Sequence, residues 1–315
     1  MIKILYVTGC LGFIGYHVTK KFLDEGHYVY GIDSKTYASN KDFLYELLEY
    51  KNFTFDGCDI NDIERLVDCD YFINTAAETH VDNSIVSSDV FLRSNINGVH
   101  KILELIKQKP KSRRPTLIHF STDEVYGDLV TGFHTETDLL KPSNPYSATK
   151  AAADMLVLAW ARTYDIPYVI VRPTNNYGIG QYVEKFIPKA CKNLSLGKPI
   201  VMHDNGNPVR TWLHVSDTAN AVFVLVLMSI KNDIFNISGN YEEKNIVIAR
   251  KIIDNYFGHT VDYDKYMDFS EKRQGQDVRY AIGDSKLRNL GWSCRADFDT
   301  GLKEIVEWHR ENFIW

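Results

Sequence analysis

The chain has 315 residues, 44% of them hydrophobic and 24% charged, with a formal net charge of −5. That composition fits a globular protein with a sizeable core, one or two domains in extent. The acidic balance gives no electrostatic reason to expect nucleic acid or an anionic membrane as the main partner.

The elements follow in chain order. "MIKILYVTG" enters a strand pattern at once, with no signal-peptide pattern before it. "FIGYHVTKKFLDEG" reads as a helix, "HYVYGID" as a strand, "FLYELLEY" as a helix and "FTFDGCD" as a strand. "DYFINTAA" follows, then helical stretches near 86–107 and 146–164 around the strand "TLIHFST", and then "YVIVRP". Strands alternating with helices predict a parallel sheet covered on both faces. Beyond about residue 174 the pattern turns irregular, which is where a smaller second lobe would begin.

The basic stretch "KQKPKSRRP" (107–115) lacks interleaved aromatics and reads as a solvated loop. The apolar run "AVFVLVLMSI" (221–230) is too short to span a bilayer and reads as a core helix. Five cysteines, at 10, 58, 69, 191 and 294, lack CxxC spacing. They fit a reducing compartment and argue against a disulfide framework or a zinc site, so the cytosol is the expected location.

Three short motifs carry chemistry. In "VTGCLGFIG", Gly9, Gly12 and Gly15 stand between the first strand and a helix. Such glycines let backbone approach a pyrophosphate, which the helix N-terminus stabilises. Tight packing without a ligand is the plainer alternative. Asp33 ends the second strand, where a carboxylate accepts hydrogen bonds from both adenosine ribose hydroxyls and repels a 2′-phosphate, favouring NAD. Asp59 either reaches the adenine or caps the next helix. In "NPYSATKAAAD", Tyr146 and Lys150 lie four residues apart on one helix face. An ammonium there would lower the phenol's pKa and make Tyr146 a base for a hydroxyl whose carbon gives up hydride. "HFSTDEVYGD" places two acids, Asp123 and Glu124, at a strand end, where unpaired carboxylates are costly to bury.

These residues resemble the extended short-chain dehydrogenase/reductases that act on nucleotide sugars. The pieces "TGCLGFIG", "AAETHVDNS", "STDEVYG", "NPYSATK", "NNYG", "EKFIP", "VRTWLHV" and "GLKEIVEW" occur in that family's order across nearly the whole chain. More narrowly, the chain resembles the NDP-glucose 4,6-dehydratases. The resemblance implies an α/β doubly wound Rossmann sheet with a smaller substrate lobe. The expected division is residues 1–174, with a returning segment near 212–236, against a lobe mostly within 175–315. It implies NAD, further contacted by Phe13, Ile14, Ile60 and Ala76, and UDP-glucose or dTDP-glucose as substrate. It makes Tyr146 and Lys150 catalytic, Glu124 the base at C5, Asp123 the acid at O6 and Thr122 a hydrogen-bond partner of O4. Hydride would leave C4, water would be eliminated across C5 and C6, and hydride would return to C6.

Thr79 would then sit near the glucosyl group. Asn175, Glu184, Lys185, Arg210 and Asn245 would hold the glucosyl diphosphate, and Arg273 in "RQGQDVRY" the nucleotide. That segment departs from the bacterial "RPGHDRRY" at Gln274, Gln276 and Val278. Around the base, "KPIVMHD" puts Val201 and His203 where bacterial dTDP-glucose enzymes have Pro and Tyr. His203 matches the plant UDP-glucose 4,6-dehydratases of rhamnose synthesis, and Asn83 leans the same way.

The alternatives are a UDP-sugar 4-epimerase or UDP-glucuronate decarboxylase, which Asp123 speaks against, and an NAD(H)-sensing scaffold, which five intact catalytic residues speak against. The helix "AAADMLVLAWA" (151–161) is apolar nearly all round and "VFLRSNINGVHKILELI" (90–106) carries a wide apolar face. A helix apolar on all sides must be covered on all sides. The pair is therefore expected to form a homodimeric four-helix bundle, as the family does.

Overall fold

A computed structural model describes residues 1–271 and 277–312. The strands in chain order are β1 (Ile4–Thr8), β2 (Tyr28–Ile32), β3 (Phe53–Asp56), β4 (Tyr71–Asn74), β5 (Thr116–Phe120) and β6 (Tyr168–Pro173). They continue as β7 (Asn175–Tyr177), β8 (Ile200–Val201), β9 (Val209–His214), β10 (Asp233–Ile237), β11 (Tyr241–Lys244) and β12 (Met267–Asp268). Helices α1 (Phe13–Asp24), α2 (Lys41–Leu48), α3 (Val81–Val86), α4 (Asp89–Phe91), α5 (Gly98–Gln108) and α6 (Pro145–Tyr164) precede residue 174. After it come α7 (Phe186–Ser195), α8 (Val215–Leu227), α9 (Asn245–Phe257), α10 (Ser285–Arg288) and α11 (Phe298–Glu311).

Seven strands form one parallel sheet in the order β10-β6-β5-β4-β1-β2-β3. Its central strands are buried along their length, as β4 and β5 are, which is why they read as unbroken apolar runs. The order reverses between β1 and β4, and this switch point opens a crevice at the carboxyl ends of the strands. A three-stranded sheet, β11-β9-β7, and the pair β12-β8 build the second lobe. α7, α9 and α11 pack there around Trp212, Ile252 and Leu302.

The expectation of irregular chain beyond residue 174 is therefore too coarse. Regular helices occupy much of it, but its strands pair with distant partners and are too short to show a period. α8 lies against α1, with the Phe22 and Phe223 rings 5.5 Å apart, and leads into β10 at the edge of the large sheet. Leu287 and Trp292 also join the large-sheet core. Among the described residues no helix is long and apolar enough to cross a membrane.

The fully buried Asp154 of α6 fastens that helix to the sheet. Its Oδ2 takes hydrogen bonds from Arg172 Nε at 3.0 Å and Ser121 Oγ at 3.0 Å, and Arg172 Nη2 lies 2.9 Å away. Arg172 Nη1 donates to Tyr126 Oη at 2.6 Å, and that hydroxyl donates to Asn236 Oδ1 at 2.8 Å. Removing one partner of a buried pair strands the other charge, at a cost of about 3–5 kcal/mol. Arg172→Met should lose that much in urea unfolding, and adding Asp154→Asn should recover a substantial part of it.

Candidate active site

β1 delivers the chain into the glycine turn. Gly9 has φ +71°, and a Cβ there would stand 2.8 Å from the Ala76 backbone, so a side chain is excluded twice over. A Cβ on Gly15 would collide with the Gly9 carbonyl, so this glycine lets α1 pack close to the turn. Gly12 is the N-cap of α1 and provides no side-chain cap, which leaves the helix N–H groups facing the crevice.

Two cavities share Gly9 and Gly12. One is lined by Asp33, Asp59, Ile60 and Ala76, the other by Phe13, Ile14, Gly15, Thr122, Asp123, Glu124 and Tyr146. Asp33 is fixed by the Leu11 N–H at 3.0 Å, the Lys35 N–H at 2.8 Å and the Ser39 hydroxyl at 2.6 Å. The Asp59 carboxylate caps the turn Ile60–Asp62 through the Asn61 N–H, and the residue lines the same cavity as Asp33. This groove, with uncapped helix donors at its middle and a carboxylate at one end, fits a dinucleotide.

β5 ends in the acid pair. Thr122 caps the turn Asp123–Tyr126, which buries Val125 and Tyr126 as its anchor. Thr122 Oγ1 donates to Asp123 Oδ1 at 3.2 Å and accepts the Glu124 N–H at 3.3 Å. Asp123 is buried, and its Oδ2 has no partner among the described residues. Burial, and then the charge of Glu124, push the Asp123 pKa up to about 7. Glu124 is half-buried and faces the cavity, where its Oε2 accepts from Asn144 Nδ2 at 3.4 Å and lies 3.3 Å from the Tyr280 hydroxyl, whose own proton goes to Asp277 Oδ2.

α6 begins beside it, capped by Asn144 with Pro145 in its first turn. Tyr146 and Lys150 are both buried. Lys150 Nζ donates to the Phe120 carbonyl at 2.5 Å, and burial lowers its pKa to about 8. The expectation of a depressed phenol is not met. Burial and the Glu124 charge raise the Tyr146 pKa, and only a hydrogen-bond contact with Thr122 works the other way.

A further cavity opens toward the second lobe. Thr79, Asn175, Glu184, Lys185, Val201, His203, Arg210 and Asn245, all singled out in the sequence, line it together. Thr79, Glu124, Asn175, Glu184 and Lys185 also line the cavity of Tyr146, so the two spaces meet at Glu124. Lys185 Nζ reaches the Thr79 carbonyl and hydroxyl, both at 2.9 Å. Arg210 stacks over the Tyr280 ring at 4.5 Å and donates to the Val209 and Asp277 carbonyls. His203 Nδ1, Trp212 Nε1 and Asn245 Oδ1 are buried at this cavity with no hydrogen-bond partner among the described residues. Such orphaned atoms point to a polar ligand. Arg273, Gln274 and Gln276 lie outside the described residues.

Sequence reasoning missed Asn144, Asp277 and Tyr280. Asn144 carried the signal of a helix cap and nothing more. Asp277 and Tyr280 stand in "RQGQDVRY", more than 150 residues from Glu124, so only the fold brings them together.

Residues 5–238 match the model of the NAD dependent epimerase/dehydratase family. A probable dTDP-glucose 4,6-dehydratase of Sinorhizobium fredii is 37% identical, over 99% of this chain and 94% of that protein. A trifunctional UDP-glucose 4,6-dehydratase/UDP-4-keto-6-deoxy-D-glucose 3,5-epimerase/UDP-4-keto-L-rhamnose-reductase of Arabidopsis thaliana is 37% identical, over 99% of this chain and 48% of that protein. The crystal structure of the dTDP-glucose 4,6-dehydratase DesIV from Streptomyces venezuelae, with NAD bound, superposes with a TM-score of 0.91 at 33% identity, covering 98% of this chain and 97% of that one. The chain belongs to the NAD dependent epimerase/dehydratase family.

The raised pKa of Asp123 has a stability consequence. The native state holds a proton that the unfolded chain, with the ordinary value of 3.8, releases first. Stability therefore falls as pH rises from about 4 to about 7 and is flat above, by up to about 4 kcal/mol at 1.36 kcal/mol per pK unit. Asp123→Asn, which mimics the protonated form, should melt higher than the parent chain at pH 8 and nearly with it at pH 4.

Proposed function

We propose that the chain is an NAD-dependent NDP-glucose 4,6-dehydratase that converts UDP-glucose or dTDP-glucose to the NDP-4-keto-6-deoxyglucose. The observation that carries this reading is the acid pair. Asp123 is buried with its pKa pushed up to about 7, while the neighbouring Glu124 faces the junction of two cavities. Elimination of water needs one carboxyl group as acid and one as base.

NAD, when bound, supplies the acceptor for hydride from C4 and its return to C6. Tyr146 takes the O4 proton, and Thr122, which already bonds the phenol, orients O4. Lys150, one turn further along α6, places positive charge beneath the site. The C4 ketone acidifies the hydrogen at C5. Glu124, held by Asn144, removes it, and Asp123 gives its proton to the departing C6 hydroxyl, so water leaves. Glu124 exchanges that proton with solvent and then delivers a proton to C5. Gly9, Gly12, Phe13, Ile14, Gly15, Asp33, Asp59, Ile60 and Ala76 hold the cofactor, and the second-lobe cavity holds the sugar nucleotide.

Val201 and His203 line that cavity, and the orphaned Nδ1 of His203 can bond a base. A thymine methyl is worth only about 1 kcal/mol when buried. The reading is therefore a modest preference for UDP-glucose, about tenfold in kcat/KM. The proposed division is residues 1–174, with a returning segment near 212–236, against a lobe mostly within 175–315, and a cytosolic location accords with five free thiols.

With C4-deuterated UDP-glucose or dTDP-glucose, mass spectrometry should show loss of one water with the label at C6, and solvent deuterium at C5 when the reaction runs in D₂O. Label retained at C4 with an inverted hydroxyl would replace this reading with an epimerase. Glu124→Gln should build up NADH transiently and slow product formation by at least about a hundredfold.

The same reading includes a homodimer through α5 and α6. Apolar side chains stand exposed on these helices and just before them: Val86 at 87%, Val90 at 52% and Met155 at 48%. α6 is thus not covered all round within one chain. Light scattering at micromolar concentration should give twice the chain mass of 36.2 kDa, and the mass of a single chain would remove the dimer.

A further inference from the structure

We infer that Tyr37 is a positioning residue that latches residues 178–185 across the cofactor groove and so retains NAD(H) between the two hydride transfers; this rests on the dehydratase reading above. Residues 178–185 link β7 to α7, both in the second lobe, and touch the cofactor domain on the way at His17 and Phe43. Gln181, Tyr182, Glu184 and Lys185 line the same cavity as the glycine turn and Tyr146, and Ala38, next to Tyr37, closes its other wall.

The strap is tied down along its length. The Ile179 carbonyl meets His17 Nε2 at 3.2 Å. Gly180, at φ +83°, lies so close to the Phe43 ring that a Cβ would collide with it. Lys185 holds Thr79 from the other lobe. At Glu184, the residue before Lys185, the Tyr37 hydroxyl donates to Oε2 at 3.1 Å, with Glu78 Oε2 at 3.5 Å, and the Tyr37 ring meets Tyr182 edge-on at 5.4 Å. Tyr37 belongs to the loop that begins at Asp33, whose carboxylate holds Lys35 and Ser39 on either side of it. One hydroxyl therefore joins the loop of the adenosine end to the segment that covers the middle of the groove.

This contact has a chemical use. The reaction has no net redox change, so NADH lost after the first hydride transfer leaves an oxidised sugar and an enzyme unable to finish. The ties at His17 and Phe43 hold the start of the strap and the tie at Thr79 its last residue, whereas the Tyr37–Glu184 bond joins it to the loop that begins at Asp33. Tyr37 is 51% exposed, so removing its hydroxyl leaves the core untouched.

The test is Tyr37→Phe, with NADH release measured directly by stopped-flow fluorescence in the absence of sugar. A hydrogen bond to a charged partner at a half-exposed site predicts release about tenfold faster than from the parent chain. In turnover without added NAD⁺ the variant should lose activity progressively and shed free NADH, and added NAD⁺ should restore the rate. An unchanged release rate would overturn the latch, as would progressive inactivation that NAD⁺ fails to rescue. Because release is read without substrate, a failure of the latch is distinct from a failure of the dehydratase reading, which the labelled sugar tests.

Discussion

The site rests on one buried ion pair. Asp154 and Arg172 face each other with 0% and 2% of their side chains exposed, and everything that performs chemistry is built on the elements they join. Asp154 lies one turn past Lys150 and two past Tyr146 on α6, so fixing its carboxylate fixes the rotation of the helix. Arg172 comes from β6, Ser121 from the end of β5, and Tyr126 from the turn that carries the acid pair. A buried ion pair adds little net stability over an apolar packing of the same volume, because desolvation consumes most of its attraction. Its worth here is specificity: an unpaired carboxylate on any other face of α6 would be too costly to bury. The surface pairs are different in kind. Lys111–Asp165 and Lys303–Glu307 are held by exposed side chains, and such pairs contribute about 0–1 kcal/mol.

The same accounting explains the acid pair. Two adjacent carboxylates at a strand end would repel, and burying both ionised would cost more than the turn could offset. The turn resolves this by unequal burial. Asp123 points inward beside Thr122 and keeps its proton up to about neutral pH, while Glu124 points to the cavity and is held by Asn144. The proposed division into acid and base rests on which way two consecutive side chains face.

Much of this was legible in the sequence because it is local. A glycine turn after a strand, a carboxylate at the end of the next strand and Tyr146 four residues before Lys150 are each set within a few residues, and the glycines, Asp33 and Tyr146 line neighbouring cavities. The eight expected substrate positions of the second-lobe cavity were legible only through resemblance, since Thr79 of the cofactor domain and Asn245 are brought to one cavity by tertiary packing. What stayed hidden is non-local or electrostatic. Tyr280 reaches Glu124 across 156 positions of chain. The helices past residue 174 were obscured by short strands with distant partners. The raised pKa of the Tyr146 phenol is hidden from a spacing rule, which counts the ammonium four residues on and omits burial and the Glu124 charge.

Why this chain should dehydrate its substrate, when its fold serves other sugar-nucleotide chemistry, comes down to the turn after β5. In the proposed mechanism the sheet, the glycine turn, Tyr146 and Lys150 serve oxidation at C4, and a base for C5 is a separate requirement. The proposed base, Glu124, stands where the two cavities meet. Val125 and Tyr126, both essentially inaccessible, anchor the turn in the core. Gly127, at φ +81°, lets the chain leave it where a Cβ would strike the Lys141 carbonyl. Asn144, already fixed as the cap of α6, bonds the Glu124 carboxylate, and Tyr280, braced under Arg210, lies beside it. On that proposal the step that follows oxidation depends on a four-residue turn whose shape is set by core packing.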